Sequence, residues 1–165
     1  MDINQIYIAI PTKSGYKITK ASKVIDIENF NVIQSDPDNY YLERKLEYKK
    51  ISVEKIGKYD FKNCKINYCS LNNAIINLSS INKLLIKVYE IINDKNQIIK
   101  NSKINILPVV NLSKGFENLK KLNISYSKPD NNIGIYEIVN QCESNNIKLD
   151  VKIILQNQSC IRIAL

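Results

Sequence analysis

Apolar residues recur at every second position along much of this chain, a period that puts them on one face of a pleated strand and their polar neighbours on the other. Ile6, Ile8 and Ile10 give a first strand, ended by a turn at Pro11-Thr12-Lys13-Ser14-Gly15. Further short strands are predicted at Tyr16 to Thr19, Val24 to Ile27 and Phe30 to Gln34. Ser35-Asp36-Pro37-Asp38-Asn39 predicts a chain reversal, because Asp and Asn bond their own backbone and Pro fixes φ. From Tyr40 to Lys50 the apolar positions Tyr40, Leu42, Leu46 and Tyr48 alternate with polar ones, which predicts a strand with one wet face. Leu42 and Leu46 also stand four apart, the spacing of a helix, but the longer alternation favours the strand. The phase slips at Ile51 and Val53, as a β-bulge or bend at Lys49-Lys50 would cause.

In the middle of the chain, Lys83 to Ile92 and Gln97 to Ile99 flank Asn93-Asp94-Lys95-Asn96 and read as a hairpin. Lys103 to Val110 continues as a strand, with Pro108 at an edge, bulge or end. Two helices are predicted. Ser113 caps a short one carrying Phe116, Leu119 and Leu122, with Gly115 as its weak point. The other starts after Pro129-Asp130, repeats Ile135, Ile138, Val139 and Cys142, and stops near Asn145-Asn146. Leu149, Val151, Ile153 and Leu155 then share one strand face, and a turn at Gln156 to Ser159 leads into a last strand, Cys160 to Leu165. The expected fold is a single β-rich domain over residues 1–165. It is mainly β, either β-sandwich-like or antiparallel α+β, with one or two short helices in the C-terminal third.

Composition narrows the chemistry. Four glycines and no histidine in 165 residues remove the glycine-rich phosphate loops and the side chain that titrates near neutral pH. Without histidine, only lysine or a carboxylate is left to activate a Ser or Cys nucleophile, and no G-x-S-x-G or supported S-x-x-K is present. A non-enzymatic protein with no cofactor is therefore expected. The net charge of +8 comes from 24 Lys and Arg against 16 Asp and Glu, yet only Arg44 and Arg162 are arginines. Base readout and bidentate phosphate recognition favour arginine, so the charge argues less for nucleic acid than its size suggests. The first ten residues lack a basic n-region and a long apolar h-region, so no classical secretory signal is read. That places synthesis in a cytoplasm, with packaging into a particle or non-classical export as later fates.

Cys64, Cys69, Cys142 and Cys160 are read as reduced thiols, since the C-x4-C of the first two lacks the tight turn of a zinc knuckle. No metal site is expected. Asp36 and Asp38 are nearest to paired catalytic carboxylates or a calcium loop, but turn chemistry explains their spacing. The Asn-x-Ser sequons follow from the abundance of Asn.

The richest mixture of base and aromatic lies between Tyr40 and Lys65. Within it Tyr40, Tyr41, Tyr48, Arg44, Lys45, Lys49 and Lys50 are the candidate contact residues. The heavy use of Lys, Asn, Ile and Tyr resembles the coding bias of very AT-rich genomes, such as those of clostridia, their phages and some large DNA viruses. From such a source, a signal-less β-rich chain is expected as a structural or interaction subunit of a larger assembly, a virion or tail component or a toxin-complex accessory. It would act through other protein subunits. A nucleic-acid-binding protein using the Lys/Tyr surface is the alternative, and a binder of anionic lipid the third. No segment is apolar enough to span a membrane.

Overall fold

A computed structural model describes residues 6–12, 15–20, 30–34, 40–44 and 46–165 and divides the chain into two units, Met1–Glu47 and Tyr48–Leu165. In the first unit, β1 (Ile6–Thr12), β2 (Gly15–Lys20), β3 (Phe30–Gln34) and β4 (Tyr40–Arg44) form a sheet in the order β2-β1-β4-β3. β1 runs antiparallel to β2 but parallel to β4, and β3 closes the sheet antiparallel to β4. The strands expected from Ile6, from Tyr16 and from Phe30 are present. The expected strand at Val24 to Ile27, the turn holding Asp36 and Asp38, and Lys45 lie outside the described residues.

The second unit is α+β. Its larger sheet has five strands in the order β5-β12-β11-β6-β7, built from β5 (Lys49–Lys50), β6 (Lys65–Leu71), β7 (Ala74–Ile75), β11 (Leu149–Ile154) and β12 (Cys160–Ala164). β5 pairs parallel with β12, and the other neighbours are antiparallel. A smaller antiparallel sheet has the order β8-β10-β9, from β8 (Ile106–Leu107), β9 (Phe116–Leu119) and β10 (Ile124–Ser127). Three α-helices accompany them: α1 (Ile81–Ile92), α2 (Lys95–Asn101) and α3 (Asn131–Ser144).

Four expectations are corrected. The middle hairpin is instead the helix pair α1 and α2. Ser80 accepts a hydrogen bond from the Lys83 N–H, and Ile81, Leu84, Leu85, Val88 and Tyr89 then repeat as one buried helical stripe. Asn93 ends α1 in the left-handed conformation, and the Asp94 carboxylate accepts from Asn96 and Gln97 to start α2. The residues read as a hairpin tip are thus a C-cap followed at once by an N-cap. The expected helix after Ser113 is strand β9 followed by a single 3-10 turn, Lys120–Leu122, because Gly115 at φ 94° turns the chain and Phe116–Leu119 pairs with β10. The long strand from Lys103 to Val110 shrinks to Ile106–Leu107, since the Lys103 N–H and the Pro108 carbonyl bond to side chains elsewhere. The strand from Tyr40 to Lys50 is two strands: β4 ends at Arg44 in one sheet, and β5 belongs to the other. The phase slip at Lys49-Lys50 falls beside the boundary between the two units, and the bulge lies in β6.

The helix after Pro129-Asp130 and the closing strands form as expected. Asp130 accepts from the Ile133 N–H, and Ile135, Ile138, Val139 and Cys142 are buried. Leu149, Val151 and Ile153 face the same core as Ile161 and Ile163 of β12, joined there by Cys69, Leu71 and the α1 stripe. Each such aliphatic side chain contributes about 2 kcal/mol on burial. Gly134 lets α3 approach α1, as a Cβ there would stand 3.0 Å from Ile81 Cγ2. Left-handed backbone elsewhere falls mainly to asparagine: Asn63, Asn72, Asn73, Asn93, Asn123 and Asn146 have positive φ.

Candidate functional site

The period of two that buries one face of the five-stranded sheet aims a different set of residues outward. Lys50 of β5 pairs with Arg162 of β12, Arg162 with Lys152 of β11, and Lys152 with Tyr68 of β6. Three cations and a tyrosine therefore form one row across four adjacent strands, spaced at about 4.8 Å per strand. The row depends on the bulge, because Lys152 pairs with Tyr68 while Ile153 pairs with Ile66, leaving Asn67 as the extra residue. Without that residue Tyr68 and Ile66 would not both keep their faces.

Like charges directly opposite one another on a sheet are destabilising. Two arrangements offset this. Arg162 donates from Nε and Nη2 to the two carboxylate oxygens of Asp150, each at 2.8 Å, and this bidentate pair holds Asp150 below the usual carboxylate range. The Lys152 ammonium stands 5.0 Å from the ring centroid of Tyr68 and 5.5 Å from that of Tyr48. Tyr48 is itself oriented by Asn67, whose Nδ2 donates to its hydroxyl at 2.5 Å. A cleft of about 330 Å³ opens beside the row, lined by Tyr68, Ser70, Asp150, Arg162 and Lys148 among others.

The candidate contact residues are divided by the fold. Tyr40, Tyr41 and Arg44 lie on β4 of the first unit, and Lys45 lies outside the described residues. Tyr48, Lys49 and Lys50 belong to the second unit, where Lys49 and Lys50 are exposed on edge strand β5 and Tyr48 joins the site. Sequence reasoning missed Lys152 and Arg162, and it read Tyr68 with the basic and aromatic mixture without taking it as a contact residue. The alternation of Leu149, Val151 and Ile153 already assigned Lys152 to the outer face; Arg162 faces it across the hairpin from β11 to β12, whereas Tyr68 comes from a segment far away in the chain.

Several of the groups that could carry covalent or acid–base chemistry are employed in the fold. Every aspartate between 46 and 165 is engaged: Asp94 and Asp130 cap helices, Asp60 accepts from the Lys62 N–H and Asn132, and Asp150 holds Arg162. Glu137 is fully buried on α3. Its Oε1 accepts from the Tyr89 hydroxyl at 3.0 Å and from Gln141 at 2.9 Å, and its Oε2 from the Lys103 N–H at 2.7 Å. Burial, followed by the charge of Glu137, pushes the Tyr89 phenol up. All four cysteines are free thiols. Burial raises Cys64 and Cys69 to about 11 and Cys142 to about 12, far from a reactive thiolate. Among the described residues, no cluster of three or more His, Cys, Asp or Glu could hold a metal ion, and no helix is long and apolar enough to cross a membrane.

Compared with protein-family models, curated proteins and solved structures, the chain matches none.

Proposed function

We propose that the chain is a non-enzymatic interaction subunit of a larger assembly, and that the outer face of its five-stranded sheet docks against an acidic surface of a partner protein. The row Lys50, Arg162, Lys152 and Tyr68 carries this reading. Within this row Arg162 is held by Asp150 and the Lys152 ammonium lies within 5.5 Å of two tyrosine ring centroids, contacts that restrict both side chains before any partner arrives. Preorganised charge of this kind gives orientation and association rate. The raised thiols and the committed aspartates support a role outside catalysis.

Single-stranded nucleic acid is the second reading. The same row favours it, since cations that follow a backbone beside aromatic faces suit that ligand too. The two readings separate in one experiment, a pull-down of the tagged chain with and without nuclease, eluted by a salt gradient. Protein partners that survive nuclease, and fall about tenfold or more in the Lys50→Glu/Lys152→Glu variant, are the expected result. Recovery of nucleic acid, with elution that shifts steeply with salt and a slope reduced in the same variant, would establish the second reading instead.

A further inference from the structure

The segment between β8 and β9 projects apolar side chains from a backbone that is tied down. Val109 is 54% exposed and Leu112 is 85% exposed. The backbone beside them is committed. Ser125, fully buried on β10, accepts from the Asn111 N–H at 2.6 Å, and its hydroxyl lies 2.7 Å from both the Val109 carbonyl and Asn118 Oδ1. Asn118 also accepts from the Asn111 N–H, and Asn123 accepts from the Val110 N–H at 3.3 Å. The Lys95 ammonium donates to the Pro108 carbonyl at 2.8 Å and closes the base of the loop. A buried serine and two asparagines thus fix the backbone from Val109 to Asn111, next to the exposed Leu112.

The segment that carries this tip is net basic. From Pro108 to Asn123 the chain carries Lys114, Lys120 and Lys121, all exposed, against Glu117, which is half-buried on β9. Lys95 adds a fourth cation at the base. We infer that the loop from Pro108 to Gly115 is a membrane-contact element, in which Leu112 and Val109 enter the interface of an anionic bilayer while Lys114, Lys120 and Lys121 meet its headgroups. Stable peripheral attachment needs two signals, and exposed apolar side chains with exposed lysines in the same segment supply both. This element is separate from the cationic row of the sheet and stands or falls without it.

The absence of tryptophan from the whole chain provides a direct test. Leu112→Trp places the only indole at the tip. Its emission is expected to shift to the blue with vesicles of phosphatidylcholine and phosphatidylserine, and not with phosphatidylcholine alone. In co-sedimentation with the mixed vesicles, Leu112→Asp is expected to lower partitioning about tenfold. Lys120→Glu/Lys121→Glu should lower it by about fivefold per lysine at least. Circular dichroism of each variant checks that the fold persists. Wild-type protein that stays in the supernatant with mixed vesicles would overturn the inference and leave the tip to a protein pocket. So would binding that Leu112→Asp does not change, or an indole that keeps its solvent emission while the protein sediments.

Discussion

The two units carry opposite charge balances. Met1–Glu47 has six Lys and Arg against seven Asp and Glu, whereas Tyr48–Leu165 has eighteen against nine. Lysine and arginine are about equally dense in both, close to one residue in seven. The contrast therefore lies in the acids, which are roughly half as dense in the second unit. A coding bias toward lysine acts on both units alike and cannot produce it. Five of the nine acids that remain there are employed by the fold: Asp60, Asp94, Asp130, Glu137 and Asp150 each hold a named donor. The second unit keeps carboxylates mainly where folding uses them, and its lysines outnumber them.

This account is breakable at each carboxylate in turn. Glu137→Ala strips the Tyr89 hydroxyl, the Lys103 N–H and Gln141 of a shared acceptor inside the core, and should cost about 3 kcal/mol in urea unfolding. A loss below about 1 kcal/mol would mean that the buried network is not a fastener. Asp130→Ala and Asp94→Ala each remove an N-cap and should cost about 1 kcal/mol, with the helix signal in circular dichroism falling in step. Asp150→Asn is the mildest, at about 0.5 kcal/mol, because its partner Arg162 is partly exposed. Its effect has a defined pH dependence. Arg162 lowers the folded-state pKa of Asp150, so the stabilisation is complete above the unfolded value of about 4 and fades as pH falls through the folded one. The gap between wild type and Asp150→Asn in urea midpoint should accordingly be open at pH 7 and close below about pH 4. A gap that persists in acid would assign the effect to hydrogen bonding without charge.

The parts of the fold legible in the sequence are those where a local signal and a tertiary contact agree. Helix α3 has its cap at Asp130 and its stripe from Ile135 to Cys142 in one segment, and β11 alternates without interruption. Helix α1 was misread because a window opening at Lys83 omits both Ser80 and Ile81, the cap and the first residue of the stripe. What remains, rich in Leu, Ile, Val and Tyr, suits a strand equally well. Phe116, Leu119 and Leu122 show the reverse error, a helical spacing produced by a strand running into a 3-10 turn. Of the candidate site, Tyr48 and Lys50 were legible as exposed base and aromatic. Their meeting with Lys152 and Arg162 was not, because it depends on β5 pairing with the last strand of the chain and on one inserted residue in β6.

The asparagines at left-handed positions have a consequence for how such a protein evolves. Every glycine codon begins with two guanines, while asparagine is spelled with adenine and at most one thymine or cytosine. In a gene drifting toward A and T, reversals built on glycine are eroded and those built on asparagine persist, because asparagine tolerates the same backbone at a small energetic cost. Asn72-Asn73, Asn93, Asn123 and Asn146 place left-handed backbone of this fold on codons that such drift would spare. Scarcity of glycine in such a chain therefore measures the genome more than the number of tight turns.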